Sequence, residues 1–218
     1  MPRHSTRPRT APPRDDIPDV ETLRTDQRER RDRIVDTAVG LMATVEYGEI
    51  QVKDIAEQAG VALGTLYRYF SSKDHVMAAA LLRWSTGFGD RASAGRGTNA
   101  PQRVAAVYAR AARAFEREPL VYGALMQLQA SQDPHARACF ATFATRQTAA
   151  FGTALPDLSP QTRTDVVNVM SAVLAEGLRG CATGSLSRAE LRRRIARAAE
   201  LVAGSAEATS PPRLDGSG

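Results

Sequence analysis

The stretch Val52–Lys73, VKDIAEQAGVALGTLYRYFSSK, decides how the whole chain is read. Ile55, Ala56 and Ala59 recur on one side of a short helix over Lys53–Ala59, and Gly60 offers the left-handed backbone that closes helices. A second helix opens at Ala62 or Leu63 and runs to Phe70, with Leu66, Tyr69 and Phe70 available to face its neighbours. Two short helices about a tight glycine turn form the helix-turn-helix arrangement, in which the second helix enters the DNA major groove and the first braces it. On this reading Leu63, Gly64, Thr65 and Arg68 project away from the core, while Tyr67, Tyr69 and Lys73 suit phosphates at the groove edges. Gly64 costs about 1 kcal/mol in helix propensity, and its missing Cβ lets backbone approach DNA closely. Helical corners of this kind also occur in purely structural bundles. Spacing alone therefore leaves DNA binding and a structural role nearly level.

Working outward, Asp26 and Glu29 read as a helix cap and its N3 partner. Ile34, Ala38, Leu41, Met42 and Val45 follow at helical spacing, and the helix is expected to close near Glu46–Gly48 with Gly48 left-handed. Downstream, Ser71 and Ser72 cap a helix from Lys73 to about Asp90, and the loop residues ASAGRGTN over 92–99 end it. Pro101 then suits the first turn of a helix through Glu118, Pro119 opens one from Leu120 to about Ser131, and Asp133 with Pro134 opens another to about Ala154. Ser159 and Pro160 start a long helix to Cys181 with Gly184 at its exit. Ser187 and Glu190 form a capping box for a last helix ending near Gly204. The expected fold is all-α with about nine helices: a three-helix helix-turn-helix domain followed by a larger helical domain. The expected divisions are a disordered basic arm over 1–24, a DNA-binding domain over 25–72, an effector-binding and dimerisation domain over 73–204 and a disordered tail over 205–218.

Composition sets the class. At 218 residues, 43% hydrophobic and 24% charged, the chain can bury a substantial core, which excludes a disordered or collagen-like protein. Two cysteines, Cys139 and Cys181, support no disulfide scaffold, and no leader pattern opens the sequence, so a reducing cytoplasm is the expected location. The least charged stretch, Val166 to Leu178, is shorter than the about 20 apolar residues a membrane span needs. The net charge is +5, and Arg3, Arg7, Arg9 and Arg14 precede the first acidic residue, so the arm could track a polyanion or be an idle solvated tail. Of 29 basic residues only Lys53 and Lys73 are lysines, and both flank the decisive stretch.

VKDIAEQA followed by GVALGTLYRYFSSK resembles the DNA-binding domain of TetR-family transcriptional regulators, over roughly Arg28 to Leu82. The resemblance implies that Gln51, Val52 and Lys53 lie where the bracing helix meets the DNA backbone. It also implies that Leu63, Gly64, Thr65 and Arg68 lie on the recognition side, with Tyr67, Tyr69 and Lys73 at the phosphate edge and Ala62 among the DNA-binding positions. Two departures stand out: the family usually has Thr at the position of Gln51 and Ser at that of Ala62, so each helix lacks a capping hydroxyl. RERRDRI, REPLVYGAL and the pattern from Val166 to Val202 are further similar to KstR-type actinobacterial repressors of steroid and cholesterol catabolism, which respond to acyl-CoA thioesters.

The second helical body carries the remaining expectations. VVNVMSAVLAEGL is apolar on more than one side, and a helix of that kind needs cover on several faces. The resemblance implies that Val169, Val173, Leu174 and Leu201 lie at a homodimer seam, which would set two recognition helices on a palindromic operator with half-site centres about 34 to 36 Å apart or a multiple of this. An effector pocket is expected among Trp84, Phe88, Phe115, Tyr122, Met126, Phe140, Phe143 and Met170, each of which also fits ordinary core packing. His135 and Cys139, four residues apart, could share a metal but have no second ligand pair. Glu176, amid apolar residues, could be a buried base or a carboxylate satisfied by a partner. No catalytic motif, cofactor or membrane partner is read. Two alternatives stay open: a non-specific architectural DNA-binding protein, and a helical enzyme that binds small molecules.

Overall fold

The computed structural model describes the backbone of residues 17–92 and 97–209 and the side chains of 17–86 and 97–206. The basic arm before residue 17, the Phe88 side chain and the tail after residue 209 lie outside the described residues. A 3-10 turn at Val20–Thr22 leads into α1 (Thr25–Thr44), α2 (Val52–Gln58), α3 (Leu63–Tyr69) and α4 (Lys73–Ala92). These are followed by α5 (Ala100–Arg117), α6 (Pro119–Gln129), α7 (Pro134–Gly152), α8 (Pro160–Ala182) and α9 (Arg188–Thr209). Among the described residues there is no strand, and the fold is all-α as the sequence implies.

Most helix ends are set by the residues the sequence marks. The Ser72 hydroxyl accepts from the His75 amide at 3.1 Å, Ser159 from Thr162 at 3.2 Å and Ser187 from Glu190 at 3.1 Å. Asp133 accepts from the His135 and Ala136 amides at 2.8 and 3.0 Å, and Asn99 caps α5 from Gln102. Three expectations are corrected. The start of α1 is not capped by Asp26: Arg24 is the capping residue, and its amide donates to the Gln27 side chain at 3.0 Å. Closure of α1 does not use Gly48, because Val45 turns the chain out in extended backbone, and Gly60 and Gly184 are the glycines with positive φ among the described residues. The last helix continues past Gly204 to Thr209, since Ala206 to Thr209 contains nothing that breaks a helix.

Two compact units emerge, Met1–Trp84 with Leu120–Thr142, and Ser85–Pro119 with Phe143–Gly218. In the first, α1, α2 and α3 pack around Ile34, Val35, Ala38, Met42, Ile50, Ile55, Leu66 and Phe70, all at most 3% exposed. In the second, α9 packs along α5 and α8. Gly177 and Gly180 permit that approach: a Cβ at Gly177 would lie 2.2 Å from a Leu191 methyl, and one at Gly180 would lie 2.9 Å from Leu186. Tyr108 crosses the second core, donating its hydroxyl to the Val167 carbonyl at 2.9 Å and packing on Phe151.

The outer side of α8 differs from its expected apolar character. Asn168, Ala172, Ala175, Glu176 and Arg179 are exposed along it with Val169, and Glu176 pairs with Arg179 instead of being buried. The periodicity explains this: Val166, Val167, Met170, Leu174 and Leu178 share the inner side, which leaves the polar residues outside. No helix among the described residues is long and apolar enough to cross a membrane.

Candidate nucleic-acid interface

A four-residue turn separates α2 from α3, and its geometry follows from Gly60. With φ at +66°, Gly60 donates to Glu57 O at 3.0 Å while Val61 donates to Ala56 O at 3.0 Å, the paired bonds of a glycine-closed helix end. The next helix then has one buried and one open side. Leu66, Tyr69 and Phe70 are at most 3% exposed, whereas Ala62, Leu63, Gly64 and Arg68 face solvent. Leu63, at 43% exposure, is an apolar side chain left uncovered at the front of α3, and a Cβ built at Gly64 would meet nothing within 4 Å. Thr65 and Tyr67 are half-buried along the edges of this side.

Arg68 is exposed, with its guanidinium carbon 5.8 Å from the Tyr69 ring centroid. Gln51 and Lys53 are also exposed, with Val52 half-buried between them. Neither Gln51 nor Ala62 makes a side-chain cap, so the helices they open rely on packing, as the two departures from the usual residues imply.

Two residues expected at the phosphate edge make contacts within the chain. Tyr69 is in the core at 3% exposure, because positions 66, 69 and 70 share the inner side at helical spacing. Its buried hydroxyl has no hydrogen-bond partner among the described residues. Lys73 is half-buried and donates to the Tyr47 carbonyl, with its ammonium 4.3 Å from the Tyr47 ring centroid.

A polar cluster joins the start of α4 to the loop before α7, within the first unit. Ser71 donates to Asp133 at 2.7 Å, Ser131 donates to Asp74 at 2.6 Å, and the Tyr47 hydroxyl also donates to Asp74. His75, 5% exposed, accepts the Ser71 amide at Nδ1 and stacks on His135 with ring centroids 5.0 Å apart. Burial and the neighbouring His135 push the His75 pKa down to about 4, with Arg31 acting in the same sense and Asp133 against it. Burial raises the Asp133 carboxyl, but hydrogen bonds from Ser72, Ser71 and two amides outweigh it and hold the group below its ordinary value. The sequence marks Asp133 as a cap. It carries no signal for partners some sixty positions away, because such pairings are made by the packing of helices and have no period.

The expected pocket residues divide between the units. Trp84, Tyr122, Met126 and Phe140 belong to the first, and Phe115, Phe143 and Met170 to the second. Of the expected seam, Val169 and Leu201 are 46% and 62% exposed, Val173 is half-buried, and Leu174, at 7%, belongs to the core of its own protomer. Among the described residues no group of three or more His, Cys, Asp or Glu could hold a metal.

The profile of bacterial regulatory proteins of the tetR family matches residues 34–80, which covers the helix-turn-helix and the start of α4. The HTH-type transcriptional repressor KstR of Rhodococcus jostii is 31% identical over 179 residues, 82% of this chain and 84% of the relative. The chain belongs to the TetR family. Within it the chain is KstR-like. The crystal structure of a TetR transcriptional regulator from Rhodococcus sp. RHA1 matches with a TM-score of 0.69 at 25% identity, covering 81% of this chain and 96% of that one. The fold also matches FadR from Bacillus subtilis, solved in complex with stearoyl-CoA, with a TM-score of 0.60, 18% identity and coverage of 79% and 97%. In this TetR-family chain α2 and α3 both lie within the matched residues.

Proposed function

We propose that the protein is a homodimeric, sequence-specific transcriptional repressor that leaves a palindromic operator when a small apolar or acyl-CoA-type effector binds. One observation carries the reading: α3 is anchored by Leu66, Tyr69 and Phe70 and leaves Leu63, Gly64 and Arg68 uncovered. A structural corner has no use for an uncovered leucine beside a glycine and an arginine. The membership in the TetR family and the likeness to KstR repressors support the same reading.

The roles follow from the chemistry. Arg68 has the geometry to donate to a guanine edge, while Leu63 and Thr65 suit thymine methyls. Ala62 and Gly64 admit close approach of α3. Gln51, Val52, Lys53 and Tyr67 meet phosphates, which position the helix without reading sequence. Residues 25–72 form the DNA-binding domain and 73–204 the effector-binding and dimerisation domain. Val169 and Leu201 contribute exposed apolar surface to the pairing of two copies. The effector enters among aromatic and Met side chains of the second unit such as Phe115, Phe143 and Met170, and the protein acts in the cytoplasm without catalysing a reaction. Release follows from linkage: an effector that binds the DNA-incompetent dimer more tightly lowers operator affinity by the same factor, typically about 5 to 150-fold.

The test is selection of random duplexes by the purified protein, followed by titration of the enriched duplex at several salt concentrations. The expected result is a palindrome bound by a dimer, with affinity falling steeply as salt rises. Equal binding to every duplex would replace this reading with the architectural one, and turnover without DNA affinity would replace it with an enzyme.

A further inference from the structure

We infer that Gln147 is the polar end of the effector site in the second unit, and that the effector is an apolar molecule carrying a hydroxyl that hydrogen-bonds to the Gln147 amide. The inference rests on the reading of an effector-released repressor above and names the ligand chemistry of that site. On α7, positions 143, 147 and 151 lie four apart and share one side of the helix. Phe143 and Phe151 are 8% and 6% exposed, so this side faces the core, and Gln147 stands between the two rings, one turn from each. Its Oε1 is buried, and no hydrogen bond reaches it among the described residues. A buried amide oxygen is nearly always given a donor, because water has been taken from it and nothing else repays the loss. An apolar side chain of the same size would fit this row without that cost, so the amide calls for a donor from a bound molecule.

The surroundings hold the amide inward. Arg103 donates to the Ala154 carbonyl at 2.9 Å, and Arg163 donates to the Leu155 and Leu158 carbonyls at 3.1 Å, which pins the chain just beyond α7. Phe151 packs on the Tyr108 ring with centroids 4.6 Å apart, and Tyr108 is tied to α8 through the Val167 carbonyl. Turning Gln147 out to water would break these contacts. α7 meets α5 ring against ring, whereas α9 meets α8 at Gly177 and Gly180, where backbones come closer. The wider spacing is therefore on the side that Gln147 faces. A hydroxyl suits the position because it donates to the amide oxygen and accepts from the amide nitrogen, while the rest of the ligand stays apolar against the phenylalanines. A carboxylate offers no donor to Oε1, and a hydrocarbon leaves it unmet.

The experiment compares full-length wild type, Gln147→Met, Gln147→Leu and Gln147→Glu. The probes are two alcohols, decanol and cyclododecanol, and the methyl ether of each, titrated by calorimetry; melting temperatures are read without probe, and the duplex enriched by wild type is titrated with and without alcohol. Wild type is expected to bind at least one alcohol about tenfold more tightly than its ether, which cannot donate. Gln147→Met is expected to bind alcohol and ether alike, and Gln147→Glu, which keeps an acceptor, to retain the preference. Without probe, Gln147→Met is expected to melt about 2–4 °C higher than wild type, since Met has nearly the volume of Gln and no amide to satisfy. The alcohol is expected to weaken duplex binding by wild type, with about tenfold more needed for Gln147→Met. Equal binding of alcohol and ether by wild type, no binding of either alcohol, or a preference that survives in Gln147→Met overturns the inference. So does a preference that depends on Gln147 but leaves duplex affinity unchanged, because the site is then not the effector's. A Gln147→Met protein that melts lower and still prefers the alcohol gives the amide to an internal water, which also overturns it. If Gln147→Met does not fold, Gln147→Leu takes its place. If wild type enriches no duplex, the repressor reading fails, and the calorimetric comparison by itself decides whether the hydroxyl site exists.

Discussion

At the scale of single residues, exposure separates side chains that hold the helix-turn-helix from those that can read DNA. Arg68 is exposed and steadied against the Tyr69 ring, so Arg68→Ala is expected to cost about 1–3 kcal/mol of operator affinity and to relax the preference at one base pair. Competition titrations against single-base operator variants check this, and uniform weakening at every position would reassign Arg68 to phosphate. His75 makes a prediction about pH. Its folded pKa of about 4 lies below the unfolded value of about 6.5, so the unfolded chain binds the extra proton between those limits. Stability contributed by the neutral ring is complete above about pH 6.5, is lost as pH falls toward 4 and changes no further below that. The total is roughly 3 kcal/mol. Urea midpoints from pH 7.5 to 4 should show this loss, and His75→Gln should flatten it. Asp133, whose carboxyl is held below its ordinary value, adds its own loss in the more acidic range.

At the scale of elements, two glycines of the decisive stretch do opposite jobs. Gly60 has φ at +66° and terminates α2, so Gly60→Ala is expected to cost about 1–2 kcal/mol of stability. Gly64 sits inside α3 with open space at its Cβ position, so Gly64→Ala should stabilise the free protein by as much as about 1 kcal/mol while weakening operator binding. Thermal unfolding and operator titration of both variants give the comparison; equal effects on stability would remove the assigned division of labour. Element boundaries were legible wherever a capping side chain acts locally, as at Ser72, Ser159 and Ser187. They were less legible at α1, where Arg24 and Gln27 cap the helix through a backbone amide that no residue preference marks strongly.

At the scale of the molecule, the exposed apolar surface of the second unit bears on assembly. Leu201 is 62% exposed on α9 and Val169 46% exposed on α8 among the described residues. Leu201→Asp is expected to shift the sedimenting species from dimer to monomer and to weaken operator binding by well over tenfold, since each half-site would then bind alone. A variant that stays dimeric would move the seam elsewhere. Helix number, the glycine turn, most caps and the family were determined by the sequence itself, because each depends on residues within a few positions of one another. The tertiary structure alone decided that Tyr69 and Leu174 are core, that Glu176 is outside and that Lys73 grips Tyr47. It alone also paired Ser71 with Asp133 and Asp74 with Ser131. Those outcomes depend on which helix sides meet and which distant loops arrive beside them, and a linear pattern of apolar and polar residues does not encode such contacts one by one.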